Sequence, residues 1–353
     1  MKKEREGIEY MSNIILMSLG LEDKVLFRAS RTNRDGVQSQ DNPKASYALG
    51  LLYLHSYLES KGHIVRTFLM NEDSFVISRD KISHSILENM PDYIGIQILT
   101  QTRVNAFKMI EYLHDNYPNI KIIVGGIHAT IMYDQIIRKY PFVIIIIGEG
   151  EITFSEIVDL ISLPAGIAYW DGINVVKTPD RKLIDNLDVL PFPYHAKAIN
   201  NKKTSASIIS SRGCYSSCSF CCLNPNAKKM IRFRTAKNVV DEIEYIATQF
   251  PQITTIDFMD DSFTADNNRV IELCKEIIAR KLNKFNYTCV ARFKPFHEKM
   301  IPYMERAGFR IINFGLESGN EEILTRCHKN LKQKDIMNTL TKLKHSIIQY
   351  NVY

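Results

Sequence analysis

Ser211-Arg-Gly-Cys214-Tyr-Ser-Ser-Cys218-Ser-Phe-Cys221-Cys222 packs four of the chain's seven cysteines into nine residues. A gap of three residues and then of two puts the thiols of Cys214, Cys218 and Cys221 on one compact loop. Three thiolates can bind three irons of a cubic cluster and leave the fourth iron open to a substrate or cosubstrate, whereas an electron-transfer cluster normally takes four. A closed zinc site needs a fourth ligand, and Cys222, next to Cys221, cannot easily turn to the same metal. Buried free thiols are the remaining alternative, and four on one short loop argue against it. Cys274 and Cys289 fall in a helical stretch and a strand and read as small buried apolar residues. Cys327, in the stretch 321–328, fits surface or core.

No cysteine precedes Cys214. A secreted disulfide framework would spread its cysteines through a small domain, so the skew speaks for a metal loop in a reducing compartment. The start, MKKEREGIEYMSN, lacks the apolar core of a signal peptide, and the expected location is the cytoplasm. The longest apolar run, Phe142 to Ile147, is far below the ~20 residues of a membrane helix. At 353 residues the chain has room for two domains of ~100–200 residues each. Hydrophobic residues at 45% and charged residues at 24% are ordinary globular usage, which excludes a collagen-like or disordered chain. The net charge of +6 is spread along the chain without a concentrated basic patch, so no nucleic-acid site is marked.

Before the loop, strand-like and helical stretches alternate. The first strand is either Ile14–Met17 or Val25–Phe27. Ala45–Glu59 is helical and stops at Lys61-Gly62. His63–Leu69 is a strand, Ile82–Leu87 a short helix, Tyr93–Leu99 a strand, and Val104–Tyr117 a helix ended by Pro118. Lys121–Val124 is a strand, Ile131–Tyr140 a helix, Phe142–Ile147 a buried strand and Glu151–Leu163 a helix. Continuous apolar strands between helices predict a parallel sheet covered on both faces, with ligands beyond the carboxyl ends of the strands. Gly125-Gly126-Ile127-His128 and Gly148-Glu149-Gly150-Glu151 occupy that edge. They are either tight strand-to-helix turns or places where the backbone meets a bulky ligand. Residues 164–204 read as a connector, with a hairpin at Gly166–Val176 turning on Asp171-Gly172 and an extended Leu190–Tyr194.

After the connector, Ser205–Ile209 is a strand that runs into the cysteine loop. Ile253–Met259 ends in Asp260-Asp261-Ser262-Phe263, Tyr287–Arg292 is a third strand, and Ile311–Leu316 runs into Glu317-Ser318-Gly319. Asp260, Asp261 and Glu317 therefore stand at strand ends, the catalytic edge of a barrel-like fold. Each can equally be a helix cap or a surface charge.

The cysteine loop resembles that of the radical S-adenosylmethionine (SAM) superfamily, Cys-x3-Cys-x-aromatic-Cys, with Phe220 as the aromatic residue. The resemblance implies a [4Fe-4S] cluster on Cys214, Cys218 and Cys221 whose open iron chelates S-adenosylmethionine. It implies reductive cleavage to a 5′-deoxyadenosyl radical, with Asp260, Asp261, Glu317 and Ser318 near the cosubstrate. Leu49-Gly-Leu-Leu-Tyr-Leu-His-Ser-Tyr-Leu-Glu-Ser-Lys-Gly-His63, Val124-Gly-Gly-Ile-His-Ala-Thr130 and Gly148-Glu-Gly-Glu151 are similar to the cobalamin-binding domain of one large subfamily. That subfamily includes the anaerobic magnesium-protoporphyrin monomethyl ester cyclase and many methyltransferases. The likeness implies a cobalamin-like site at Gly125, Gly126, His128, Gly148, Glu149 and Gly150.

The expected architecture is α/β: a flavodoxin-like (Rossmann-type) parallel sheet over 1–163, the connector 164–204, and an incomplete βα partial barrel, the radical SAM core, over 205–353. The expected activity is that of a radical enzyme performing cobalamin-associated methyl transfer or oxidative cyclisation. It would act on a small molecule or natural product and take electrons from a flavodoxin or ferredoxin type donor. The alternative is a catalytically weak iron–sulfur or cobalamin-binding module. Three departures qualify the likeness. No Asp-x-His-x-x-Gly string occurs, and Ser30–Pro43 contains no histidine. The usual Ser-x-Leu at the third strand is replaced by Gln97-Ile98-Leu99, so either cobalamin would bind without a protein histidine below cobalt or the domain has lost the cofactor. Only four βα units are legible before Ile347–Tyr353, which could begin a fifth strand. The fourth strand is thus expected to present an unpaired apolar edge, as in a chain truncated at its C-terminus.

Overall fold

The computed structural model describes residues 11–22, 49–159, 163–200, 203–223 and 230–353. Val25–Phe27, Ser30–Pro43 and the start of the helix expected from Ala45 lie outside them. The chain divides into two units, residues 1–183 with 191–198, and residues 184–190 with 199–353.

The first unit runs β1 (Asn13–Leu19), α1 (Leu49–Ser60), β2 (Ile64–Met70), α2 (Phe75–Asn89), β3 (Tyr93–Gln97), α3 (Arg103–Asn116), β4 (Lys121–Gly125), α4 (Ile127–Lys139), β5 (Ile144–Ile146), α5 (Glu151–Val158), β6 (Ile167–Trp170), β7 (Val175–Lys177) and α6 (His195–Ala198). The strand order is β2-β1-β3-β4-β5-β6-β7. Strands β2 to β5 are parallel, which is the flavodoxin-like order with its topological switch between β1 and β3. Side chains alternate across a strand, and β1 feeds two cores. Ile15, Met17 and Leu19 pack with Ile82, Met109, Ile110 and Ile137 of α2, α3 and α4. Ile14 and Leu16 pack with Leu51, Leu58, Phe154 and Val158 of α1 and α5. Burial on both faces is why this strand reads as an unbroken apolar run.

Three local expectations shift. Helix α2 is far longer than 82–87, because its buried face includes Ser78 and Ser85 beside Ile82 and Ile86, and serines hide the helical period. Its start is capped by Ser74, whose Oγ accepts from Ile77 N at 3.4 Å. Helix α4 begins at Ile127 rather than Ile131, with Gly126 as its cap. The hairpin turns at Asp171-Gly172, where Asp171 Oδ1 accepts from Ile173 N at 2.8 Å and Asn174 N at 2.7 Å. It is no free connector, since β6 pairs antiparallel with β5 and extends the first sheet. Tyr194 also belongs to this unit, stacked on buried His55 with ring centroids 4.1 Å apart.

The second unit runs β8 (Ser205–Ile208), β9 (Ser211–Arg212), β10 (Arg232–Phe233), α7 (Ala236–Gln249), β11 (Thr255–Phe258), α8 (Asn267–Ala279), β12 (Asn286–Ala291), α9 (Ile301–Ala307), β13 (Phe309–Phe314), α10 (Glu321–Arg326), α11 (Gln333–Leu343) and β14 (Gln349–Val352). Five parallel strands lie in the order β14-β13-β12-β11-β8, the succession of a βα barrel cut open. Its core is aromatic: Phe258 stacks on Phe309 at 5.7 Å and touches Phe263 at 4.7 Å. Cys274 and Cys289 are buried in it as expected. Burial pushes the Cys274 thiol up to about 12 and raises that of Cys289. The fourth strand is not the edge: β14 pairs with β13 from Ile311↔Gln349 to Phe314↔Val352 and is itself exposed throughout. The apolar edge expected on β13 is covered because Gln349–Val352, within the stretch 347–353, forms that fifth strand.

Arg234 and Glu242 form an ion pair inside this unit, with side chains 3% and 0% exposed. Arg234 Nη1 also donates to the Ile209 carbonyl at 2.7 Å. Removing one partner of a buried pair strands the other charge. Glu242→Ala should cost about 3–5 kcal/mol in urea unfolding, whereas Glu322→Ala, which breaks the exposed pair with Arg326, should change stability by less than about 1 kcal/mol.

Candidate functional site

In the second unit the chemistry-bearing residues gather at the carboxyl ends of β8, β11, β12 and β13. Strand β8 leads into Ser210, Ser211 and Arg212, and β11 leads into Asp260. Asp260 is 2% exposed. It accepts from Ser210 N at 2.6 Å, Ser210 Oγ at 2.5 Å and Ser211 Oγ at 2.6 Å. Arg269 Nη2 holds the Ser210 carbonyl at 2.7 Å. The carboxylate expected to meet the cosubstrate is thus enclosed and occupied, and it anchors the base of the cysteine loop. Asp261, its neighbour, faces solvent and accepts from Gly213 N at 3.1 Å. The surrounding protein pushes its carboxyl pKa up by desolvation, the Gly213 N–H opposes this, and the charge of Asp260 adds to the rise. Gly213 has φ +94, a backbone state that glycine reaches without the Cβ penalty, and this turns the chain into Cys214.

The loop presents its three cysteines differently. Cys214 is half-buried, Cys218 buried and Cys221 exposed, and all are free thiols. Arg292, just past β12, donates through Nη1 to Cys218 Sγ at 3.6 Å and through Nη2 to the Lys329 carbonyl at 2.9 Å. Its guanidinium carbon lies 5.7 Å from the Tyr215 ring centre. Burial raises the Tyr215 pKa, and Arg292 pulls against the rise. Ser219 N bonds the Cys327 carbonyl at 3.0 Å, so the far side of the loop rests on the turn after α10. Lys329, 5% exposed, pairs with Glu317 at 2.9 Å and sits 5.7 Å from the Phe220 ring centre. Glu317 itself has φ +71. Ser318 turns inward on its own loop, its Oγ accepting from Asn320 N at 3.1 Å.

The donor set fits an iron–sulfur cluster: three free thiols on one loop, one already facing a guanidinium. Among the described residues no three His, Cys, Asp or Glu side chains are gathered as a metal site. Sequence reasoning missed Arg292 and Lys329 as parts of this site. An arginine closing an apolar strand was a usable signal for the first; nothing near Lys329 marked it.

In the first unit the expected loops do meet at one edge. Gly126 has φ +95, and a Cβ there would lie 2.8 Å from the Ile98 carbonyl oxygen, so glycine lets the β3 and β4 loops touch. Ile98 N bonds the Gly125 carbonyl at 2.8 Å, and His128 N bonds the Ile98 carbonyl at 3.2 Å. His128, in the first turn of α4, shares a bond of 3.1 Å through Nδ1 with Thr100 Oγ1. Burial and then the charge of Arg103 lower its pKa, which favours the uncharged ring. Gly148 N donates to Thr130 Oγ1 at 3.0 Å, joining the β5 loop to α4, and Glu149 and Gly150 follow, half-buried. Two observations suit a large ligand here. The Gln97 Oε1 atom is buried without a partner at the end of β3. A Cβ placed on Gly125 or Gly150 would meet no atom closer than 3.8 Å, so packing does not demand glycine at either position.

Comparison with known proteins places these two units. Residues 44–158 match the B12 binding domain and residues 208–352 the radical SAM superfamily. The chain is 27% identical over 308 residues to the uncharacterized methyltransferase PH0819 of Pyrococcus horikoshii, covering 84% of this chain and 66% of that protein. It is 28% identical over 303 residues to the anaerobic magnesium-protoporphyrin IX monomethyl ester cyclase of Rubrivivax gelatinosus, covering 78% and 53%. The fold matches the cobalamin-dependent S-adenosylmethionine radical enzyme OxsB with a TM-score of 0.79 at 21% identity, over 98% of this chain and 49% of that one. It also matches the radical S-adenosylmethionine methyltransferase TsrM of Kitasatospora setae with a TM-score of 0.75 at 18% identity, over 97% and 69%. The chain therefore spans 66% and 53% of the length of these two curated relatives. The chain thus carries a segment matching the B12 binding domain followed by one matching the radical SAM superfamily.

Proposed function

We propose that this chain is a radical SAM enzyme acting on a small molecule, with methyl transfer or oxidative cyclisation as the reaction. The observation that carries the reading is the cysteine loop itself, set at the carboxyl edge of a parallel sheet and contacted by a cation at Cys218. When bound, the cluster and S-adenosylmethionine supply reductive cleavage of the sulfonium and a radical that abstracts hydrogen, and cobalamin supplies a carrier for a methyl group.

The residues divide the remaining work. Cys214, Cys218 and Cys221 would be the iron ligands of the cluster, three thiols on one loop. Asp260 keeps the base of the loop fixed through Ser210 and Ser211. Asp261 stays open to solvent on one side and can accept from the ammonium group of the cosubstrate. Glu317 and Ser318 border the same edge, with Lys329 holding Glu317 in place. In the first unit Gly125, Gly126, Gly148 and Gly150 leave backbone accessible to a wide ring, Gln97 offers its unpartnered oxygen, and His128 and Glu149 complete the rim. Electrons come from a small reducing protein of flavodoxin or ferredoxin type. No helix among the described residues is long and apolar enough to cross a membrane.

Two measurements test these assignments. Anaerobic reconstitution should give about four irons per chain, broad visible absorbance and deoxyadenosine on reduction. Cys218→Ala should bring the iron below about one per chain; a variant that keeps its cluster rejects the ligand set, and a colourless zinc protein rejects the cluster. Gly125→Leu should alter stability by less than about 1 kcal/mol yet weaken hydroxocobalamin binding at least tenfold by absorbance titration. Unchanged binding would make the glycine pair a tight turn and nothing more.

A further inference from the structure

We propose that Arg292 sets how readily the cluster on the cysteine loop accepts an electron. The inference rests on the ligand assignment above and extends it to a residue outside the cysteine motif. A guanidinium has five donors in a rigid fork, and here the fork is fixed at two points. Nη2 is held by the Lys329 carbonyl at 2.9 Å, and this brings Nη1 to 3.6 Å from Cys218 Sγ. The Tyr215 ring lies against the guanidinium, 5.7 Å from its carbon, and is tied down in turn by its hydroxyl, which donates to the Lys294 carbonyl at 2.7 Å.

The charge balance of the loop gives this geometry its meaning. Arg292 and Lys329 reach its cysteine-bearing part. Lys329 is neutralised by Glu317 at 2.9 Å. Arg292 has no carboxylate partner among the described residues, and its Nε is buried without an acceptor. A half-buried cation that meets a carbonyl, a ring and a sulfur but no carboxylate among the described residues is short of negative charge. Three thiolates and a cluster supply that charge, and one-electron reduction supplies more. A donor on a ligand sulfur and a nearby positive charge both stabilise the reduced state over the oxidised one. The electron comes from the external donor, and no bond at Arg292 forms or breaks. Arg292 is thus a positioning and tuning residue rather than a catalytic one.

The test is a redox titration of the reconstituted full chain, followed by the paramagnetic signal of the reduced cluster. Arg292→Gln should lower the reduction equilibrium constant at least tenfold, a shift of about 59 mV to more negative potential for one electron. Arg292→Lys, which keeps the charge, should recover most of that loss. A glutamine variant with full iron and wild-type potential overturns the proposal. A lysine variant displaced as far as the glutamine variant overturns it too, as does loss of iron from both, since either result assigns Arg292 to the scaffold alone. A wild-type chain that takes up no iron overturns the cysteine assignment itself, and that result is distinct from a bound cluster indifferent to Arg292.

Discussion

A carboxylate held inside a protein must be met by donors or give up its charge, and Asp260 shows how far that requirement reaches. Its oxygens take three hydrogen bonds, all from Ser210 and Ser211. Those serines are the residues through which β8 becomes the cysteine loop. Arg269 and Arg234 reach the Ser210 and Ile209 carbonyls from the other side, and Glu242 holds Arg234. The loop therefore departs from a base whose polar atoms are bonded from both sides. Farther along, Ser219 N bonds the Cys327 carbonyl, and the cysteines pass from half-buried to buried to exposed.

Both units place their chemistry by one topological rule. Parallel strands need crossover connections, so their carboxyl ends all open on one edge. In the first unit that edge is made of short loops that touch one another through glycine. In the second it is made of longer loops bearing ionisable side chains. The difference suits what each would hold: a broad flat ligand needs exposed backbone, and a charged cluster needs ligands and counter-charge.

What the sequence made legible follows from which physics is local. The cysteine loop was readable because ligand type and spacing are written in the chain. Strands β3 and β4 were readable because burial on both faces leaves an apolar run, whereas the first strand had two apolar candidates, Ile14–Met17 and Val25–Phe27. Helix α2 was half missed, since Ser78 and Ser85 face the interior and break the pattern. The hairpin was placed correctly at Asp171-Gly172, where the turn chemistry is local. Its membership in the first sheet depends on pairing between β5 and β6, distant in the chain, and was read as a connector. Lys329 was invisible for a related reason: its role depends on Glu317 and Phe220, which only the fold brings to it.

The acids at the strand ends carry this further. Asp260, Asp261 and Glu317 are equivalent in sequence, each an acid just after an apolar strand. The fold separates them by the donors each one meets. Asp260 takes three donors from the loop base and is closed. Asp261 takes one backbone N–H and keeps its other side open to solvent, so a cationic ligand can reach it there. Glu317 takes the ammonium of Lys329, whereas Arg292, beside Cys218, meets no carboxylate among the described residues. Adjacent residues thus come to differ completely in chemical availability.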